Sequence, residues 1–395
     1  MRSRFLESKG GAHLNLQSRA NHSTIAAIQH IPELDGIRGT AILLVLFYHL
    51  HVPLFDIGWC GVDLFFVLSG FLITSILLNT KGSPSYFSSF YARRMLRIFP
   101  LYFSFLFAYF CVLIPIAHHF GRAEGFTTAG QFWYWFYLQN WWNGVGHDIP
   151  WLSHLWSLAV EEQFYLVWPL LVLLLSRRAL AYFSVISVVV CLLLRVIFVQ
   201  LHALPELVHR ATVFRIDTLA LGGALAVLVA RGTRDTHLKY PALWGVVLLG
   251  IGLHWVPAES MQMLTVGYTG IAIASAYLVF HAVTNTGSSE YVCRLLRNRL
   301  LRRFGKYSYG MYVLHLPIVR SLSTLREAVL DHLGYVPGTL AYGGVTWFTI
   351  LLGCFASYGA ALLSWHLIEK HFLRLKWKFG YDLRQTVETR PHRKI

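Results

Sequence analysis

The chain has 395 residues, of which 55% are hydrophobic and 13% charged, with a formal net charge of +15. About a quarter of the residues in a soluble domain are charged, so this composition excludes a soluble globular protein and points to a polytopic membrane protein. Excess Lys and Arg on such a chain is first a topology signal, because cytoplasmic loops collect both, and nucleic acid is not an expected partner. Cys60, Cys111, Cys191, Cys293 and Cys354 are scattered and odd in number, so neither a disulfide framework nor a metal site is expected.

Residues 1–33 are polar and have no apolar core, which reads as a cytoplasmic tail and not a cleaved signal peptide. Apolar segments near the 20 or so residues needed to cross a bilayer then fall near 36–56, 59–79, 98–118, 158–176, 180–200, 213–231, 241–257, 262–283, 307–330 and 340–368. An eleventh segment, "TAGQFWYWFYLQNWWN" over 128–143, is short and aromatic. With ten spans and an inside amino terminus, 28 of the 34 Lys and Arg lie on the cytoplasmic side. A crossing at 128–143 would turn the later basic loops outward, against the positive-inside rule. The expected fold is therefore an all-α integral membrane bundle of about ten transmembrane helices, with a re-entrant or interfacial helix on the outer face. Both termini are expected in the cytoplasm, with the transmembrane domain over 34–372 and a basic tail over 373–395, whose lysines and arginines suit an anionic lipid surface.

Taken in chain order, several spans carry charge where hydrocarbon makes it costly. The first, "LDGIRGTAILLVLFYHLH", holds Asp35, Arg38 and His49. Arg38 and His49 share a helical face, about 16 Å apart, and Asp35 lies one turn from Arg38, near enough to pair. "GVDLFFVLSGFLIT" places Asp63 near the outer end of the second span, while its Ser69 and Gly70 read as close helix packing. "YARRMLRIFPLYF" sets Arg93, Arg94 and Arg97 just before the third. "HLWSLAVEEQFYLVWPL" contributes His154, Glu161 and Glu162; "RIDTLALGGALA" contributes Arg215 and Asp217, which read as an ion pair or as part of a site. Near the end, "RLLRNRLLRRFGKYS" adds five arginines, and "YSYGMYVLHLPI" puts Tyr309, Tyr312 and His315 on the ninth span. Ionisable groups inside a membrane normally face a cavity, so several near the depth of His49 predict a shared polar chamber. Arginine outnumbers lysine in the inner loops. Its planar fork suits bidentate phosphate recognition, which points to an anionic, phosphorylated cytosolic ligand.

These stretches occur in the order and spacing of membrane acyltransferase family 3, which the chain resembles over roughly residues 31–372. The resemblance implies an integral-membrane O-acyltransferase for cell-surface glycans, lipopolysaccharide, exopolysaccharide or some secondary metabolites, with acyl-CoA, usually acetyl-CoA, as co-substrate and no metal. It maps the family's arginine–histidine signature onto Arg38 and His49, its inner-face arginines onto Arg93 and Arg94 with Arg97 nearby, its second-span acid onto Asp63, and its acidic pair onto Glu161 and Glu162. The expected roles follow. Arg38, Arg93, Arg94 and Arg97 would hold the CoA phosphates, and His49 would act as general base or as a transient acyl carrier. Asp63 or Glu161 would orient its ring. Arg215 or a tyrosine hydroxyl would stabilise the oxyanion; Asp217, Tyr309, Tyr312 and His315 are further candidates around the substrate. The tryptophans from Trp133 to Trp151 could floor a sugar site or form an interfacial belt. Some family members append an esterase-like domain, so a separate transfer or biosynthetic partner protein is the alternative to direct transfer. A bacterial inner membrane is the expected location. The competing class is a transporter or flippase of a lipid-linked glycan, using the same charges as a path; an inactive scaffold is a third.

Overall fold

The computed structural model describes residues 31–121, 127–233, 259–335 and 337–380. Among the described residues the secondary structure is helical, with no strand. The principal helices are α1 (Pro32–His49), α2 (Gly61–Thr80), α3 (Tyr86–Phe107), α4 (Gln131–Trp135), α5 (Gln139–Gly144), α6 (Trp156–Leu174), α7 (Arg177–Gln200), α8 (Pro205–Arg210), α9 (Thr212–Ala230), α10 (Tyr268–Thr284), α11 (Tyr291–Leu296), α12 (Arg299–Leu333) and α13 (Leu340–Ser364). A wide turn at Ala108–Leu113 carries α3 on to His119.

Seven helical stretches among the described residues are long and apolar enough to cross a membrane. Helices α1 and α12 are too polar to belong to that set, yet they pack against each other inside the bundle. Burial orders the spans: 83% of the α2 segment is inside, against 17% of α7, so α2 is the central strut and α7 faces lipid. The expected span at 241–257 lies outside the described residues, as do residues 1–30 and 381–395 of the two tails.

Three boundaries differ from those read along the chain. The first span ends at His49 and does not continue to 56, because Pro53 disfavours helical geometry in the residue before it. The third helix begins at Tyr86, twelve residues before its apolar stretch, so Arg93, Arg94 and Arg97 sit on the helix itself. Over 128–143 the chain forms two short helices, α4 and α5, in place of one, broken where Tyr137 takes a left-handed φ of 55°. Five and six residues reach less than about 10 Å, so neither crosses. They are anchored by buried amides, with Gln163 Nε2 donating to Asn140 Oδ1 at 2.9 Å and Gln139 Nε2 donating to the Leu155 carbonyl at 2.7 Å.

Two helix crossings position the interior, and both depend on a missing side chain. A methyl group on Gly39 would lie 1.9 Å from the Leu301 carbonyl oxygen, and one on Gly305 would lie 1.9 Å from that of Asp35. Likewise, Gly70 abuts the Leu219 carbonyl and Gly222 that of Val67. Small residues let backbones approach closely where lipid supplies no hydrophobic drive between helices. These contacts bring α1 onto α12 and α2 onto α9.

Candidate active site

Three cavities follow one another along α1 and α12. A basic chamber of about 470 Å³ is lined by Arg38, Arg97, Arg299, Arg302, Arg303 and Lys306, with Asp35 and Trp365. Arg38 and Arg97 also line a middle cavity of about 120 Å³, which adds Arg94, Ser69, Ser157, Glu161, Tyr165, Tyr309 and Tyr312. Val62 and Tyr312 in turn line the far chamber of about 420 Å³, where His49, Asp63, His154, His209, Arg215 and Arg320 converge. The shared residues set the three cavities side by side in a file, and Arg38 and His49 are eleven positions apart on α1, about 16 Å at 1.5 Å per residue.

At the basic end, Arg38 Nη1 donates to Asp35 Oδ1 at 3.0 Å, the pairing that one helical turn allows. Arg94 and Arg97 face the middle cavity, whereas Arg93 Nη1 donates to the Lys376 and Phe379 carbonyls at 3.3 Å and so braces the carboxyl-terminal segment. Four cations from the first two turns of α12 join this chamber, and three of them, Arg299, Arg302 and Arg303, belong to the arginine-rich stretch whose composition pointed to a phosphorylated ligand. Planar guanidinium groups converging on one space can bind several phosphate oxygens at once.

The middle cavity holds Glu161. Its neighbour Glu162 turns away from the cavity lining and keeps Oε1 buried without a hydrogen-bond partner. Tyr309 donates to the Ile98 carbonyl at 2.5 Å and thereby ties α12 to α3. Tyr312, at the partition, donates to the His154 carbonyl at 2.8 Å and contacts Ser157 Oγ at 2.5 Å.

In the far chamber His49 Nδ1 lies 2.9 Å from the Val45 carbonyl oxygen and 3.3 Å from Nε2 of His315. His315 Nδ1 in turn lies 2.7 Å from the Tyr312 carbonyl oxygen. His154 stands against the other side of His315, ring centroids 5.0 Å apart, and its Nε2 donates to the Val313 carbonyl at 3.1 Å. The ring beside His49 is thus another imidazole, where a carboxylate was expected: Asp63 is bound to Arg215 at 2.6 Å, and Glu161 lines the middle cavity. A resting proton on His49 Nδ1 leaves Nε2 as the basic atom.

The two buried ion pairs also differ from the neighbour pairing read along α9. Arg215 pairs with Asp63 of α2, and Asp217 pairs with Arg195 of α7 at 2.8 Å. Residues two apart on a helix project in opposite directions, so Arg215 and Asp217 cannot meet. Arg195 was hidden in an apolar run; its charge inside a span was the available signal. The Arg215 guanidinium stacks 3.9 Å above the Tyr268 ring, and His209 bonds the Tyr268 hydroxyl. Nε and Nη1 of Arg215 remain buried without partners. The indoles lining this chamber are Trp59 and Trp156. Trp133 and Trp142 stack on each other at 5.5 Å. Among the described residues no cluster of His, Cys, Asp and Glu could hold a metal ion.

Comparison with known proteins places this architecture. The chain is 28% identical over 333 residues to the peptidoglycan O-acetyltransferase OatA of Listeria monocytogenes, covering 77% of this chain and 51% of the relative. It is 26% identical over 320 residues to the O-acetyltransferase OatA of Staphylococcus aureus, covering 74% and 51%. A similar match, 28% over 370 residues, covers 87% of this chain and 55% of YrhL of Bacillus subtilis. The chain therefore spans about half the length of the curated relatives it matches. No solved structure gives a significant match. The family model described as an acyltransferase domain matches residues 31–366, and with the buried polar file just described the chain belongs to that family of integral-membrane acyltransferases, acyltransferase family 3.

Proposed function

We propose that the protein is a transmembrane O-acyltransferase, moving an acetyl group from cytosolic acyl-CoA to a hydroxyl of a cell-surface glycan or related acceptor. The reading includes a bacterial inner membrane, cytoplasmic termini, a transmembrane domain over 34–372 and basic chemistry at His49. The observation that carries it is the file of three cavities with clustered arginines at one end and an imidazole at the other. Arg38, Arg97, Arg302 and Arg303 fit a phosphorylated donor, since Arg302 Nε is buried without a partner and a nucleotide-bearing thioester is both anionic and long. Acyl-CoA supplies the activated acyl group. Arg38, Arg94 and Arg97 hold its phosphates, and the thioester arm extends past Tyr312 toward His49.

His49 Nε2 takes the proton of the acceptor hydroxyl as that oxygen bonds to the carbonyl carbon. The carbon–sulfur bond breaks, and His49 returns the proton to the departing sulfur. In the covalent form of the reaction the acyl group rests on the imidazole before the hydroxyl takes it. Arg215, with two unpartnered nitrogens at the chamber wall, faces the charge that develops on the carbonyl oxygen. Asp63 holds Arg215 in place. Because the listerial relative is named for peptidoglycan, a peptidoglycan hydroxyl is the first acceptor to test. An acceptor protein segment that receives the acyl group from the far chamber and passes it on is the alternative route.

Purified protein in lipid nanodiscs, supplied with radiolabelled acetyl-CoA and muropeptide, should transfer label. His49→Ala should lower turnover by about 10²–10⁴-fold, the usual contribution of a positioned base, while expression and thermal unfolding stay unchanged. Near-normal turnover in His49→Ala would end the assignment.

A further inference from the structure

His49 takes the acceptor proton in the reading above, and that requires its ring to present a lone pair to the chamber. We propose that His315 is the positioning residue that sets the tautomer of His49 and shares the charge of its protonated form. An imidazole here does what a carboxylate does beside the histidine of Ser–His–Asp hydrolases. The inference rests on the acyltransferase reading.

Hydrogen-bond accounting starts at the protein interior. His315 is fully buried on α12, and its Nδ1 lies 2.7 Å from the Tyr312 carbonyl oxygen. A carbonyl can only accept, so Nδ1 carries the proton. A neutral imidazole has one N–H, which leaves Nε2 as an acceptor. That Nε2 faces His49 Nδ1 at 3.3 Å. Two lone pairs would repel there, so His49 Nδ1 carries the hydrogen. The Val45 carbonyl oxygen, 2.9 Å from the same nitrogen, independently requires the same assignment. Both constraints agree, and they leave Nε2 of His49 unprotonated.

The array ends at His315. His154 lies against it, but its own N–H donates to the Val313 carbonyl, and its Nδ1 is buried without a partner. It therefore offers His315 no proton. The carboxylates that might substitute are engaged elsewhere, Asp63 with Arg215 and Glu161 in the middle cavity. When His49 Nε2 accepts the hydroxyl proton, the Nδ1–H becomes a charge-assisted donor to His315 Nε2, a bond roughly twice as strong as its neutral form. The proton moves back out through Nε2 when the sulfur departs, so His315 ends each cycle unchanged.

The test compares His315→Gln with His315→Met, which are close in volume and differ in whether an acceptor oxygen faces His49. In the purified full chain, with acetyl-CoA and muropeptide, His315→Met should lower kcat by about 10²-fold or more, within the range of base catalysis. His315→Gln should turn over at least tenfold faster than His315→Met, and KM for either substrate should move less than about threefold, by the logic that separates transition-state from uniform binding. Equal kcat in the two variants, at any level, overturns the proposal, since a purely structural histidine tracks volume and not acceptor capacity. If neither variant accumulates, ¹⁵N spectra of histidine-labelled wild type minus His49→Gln decide it. A ¹⁵N–¹⁵N scalar coupling between His49 Nδ1 and His315 Nε2 supports the pairing; its absence, or an Nε2-protonated His49, overturns it. A wild-type protein with no transfer activity would instead count against the acyltransferase reading, leaving the tautomer measurement to stand separately.

Discussion

Arg215→Met is the sharpest probe of the far chamber, because it removes one member of a pair in which Arg215 is 1% and Asp63 0% exposed. At 2.6 Å and an effective dielectric of about 20, the attraction is about 6 kcal/mol, most of it offset by the desolvation of both groups. What the substitution leaves behind is a carboxylate with no nearby cation to spare, since Arg195 is already bound to Asp217 at 2.8 Å. Breaking such a pair costs about 3–5 kcal/mol. Removing the orphaned charge as well, in Asp63→Asn/Arg215→Met, should recover most of that loss. The assay is a double-mutant cycle on thermal and denaturant unfolding in detergent. A single-variant loss below about 1 kcal/mol, or a double variant at least as damaged as the sum of its parts, would refute the pairing argument. Turnover gives a second reading: stability restored without activity places Arg215 at the developing oxyanion, whereas recovery of both makes it structural.

At the opposite end, Arg94→Ala should raise KM for acyl-CoA several-fold with kcat nearly unchanged, the signature of lost uniform binding. An unaltered KM would remove Arg94 from the donor site. Gly39→Ala tests the α1–α12 crossing, where a methyl group must move the Leu301 carbonyl by about 1.1 Å to reach even a 3.0 Å contact. A loss of about 1–3 kcal/mol is expected, read as a lowered unfolding temperature, and wild-type stability would show that the crossing is looser than described.

Much of this protein could be read along the chain because its solvent is hydrocarbon. Backbone polar groups must then be satisfied within helices, so long apolar runs announce most of the described spans. Charges inside those runs flagged Arg38, His49, Asp63, Glu161 and Arg215, all of which line the three cavities. The motifs were specific enough to name the family, and the matched region confirms it. Boundaries were less legible. Hydropathy marks where a helix is apolar, not where it starts, so the twelve amphipathic residues opening α3 escaped it.

Partnership was the property that only folding decided. Asp217 is two residues from Arg215 yet binds Arg195, and His49 finds His315 266 positions away. Local spacing determines which side chains share a helical face, and to that extent sequence settled the common face of Arg38 and His49. It says nothing of which face of another helix arrives opposite. That was set by the glycine contacts that draw α1 onto α12 and α2 onto α9, because backbone approach within contact distance determines which long-range side chains can reach one another.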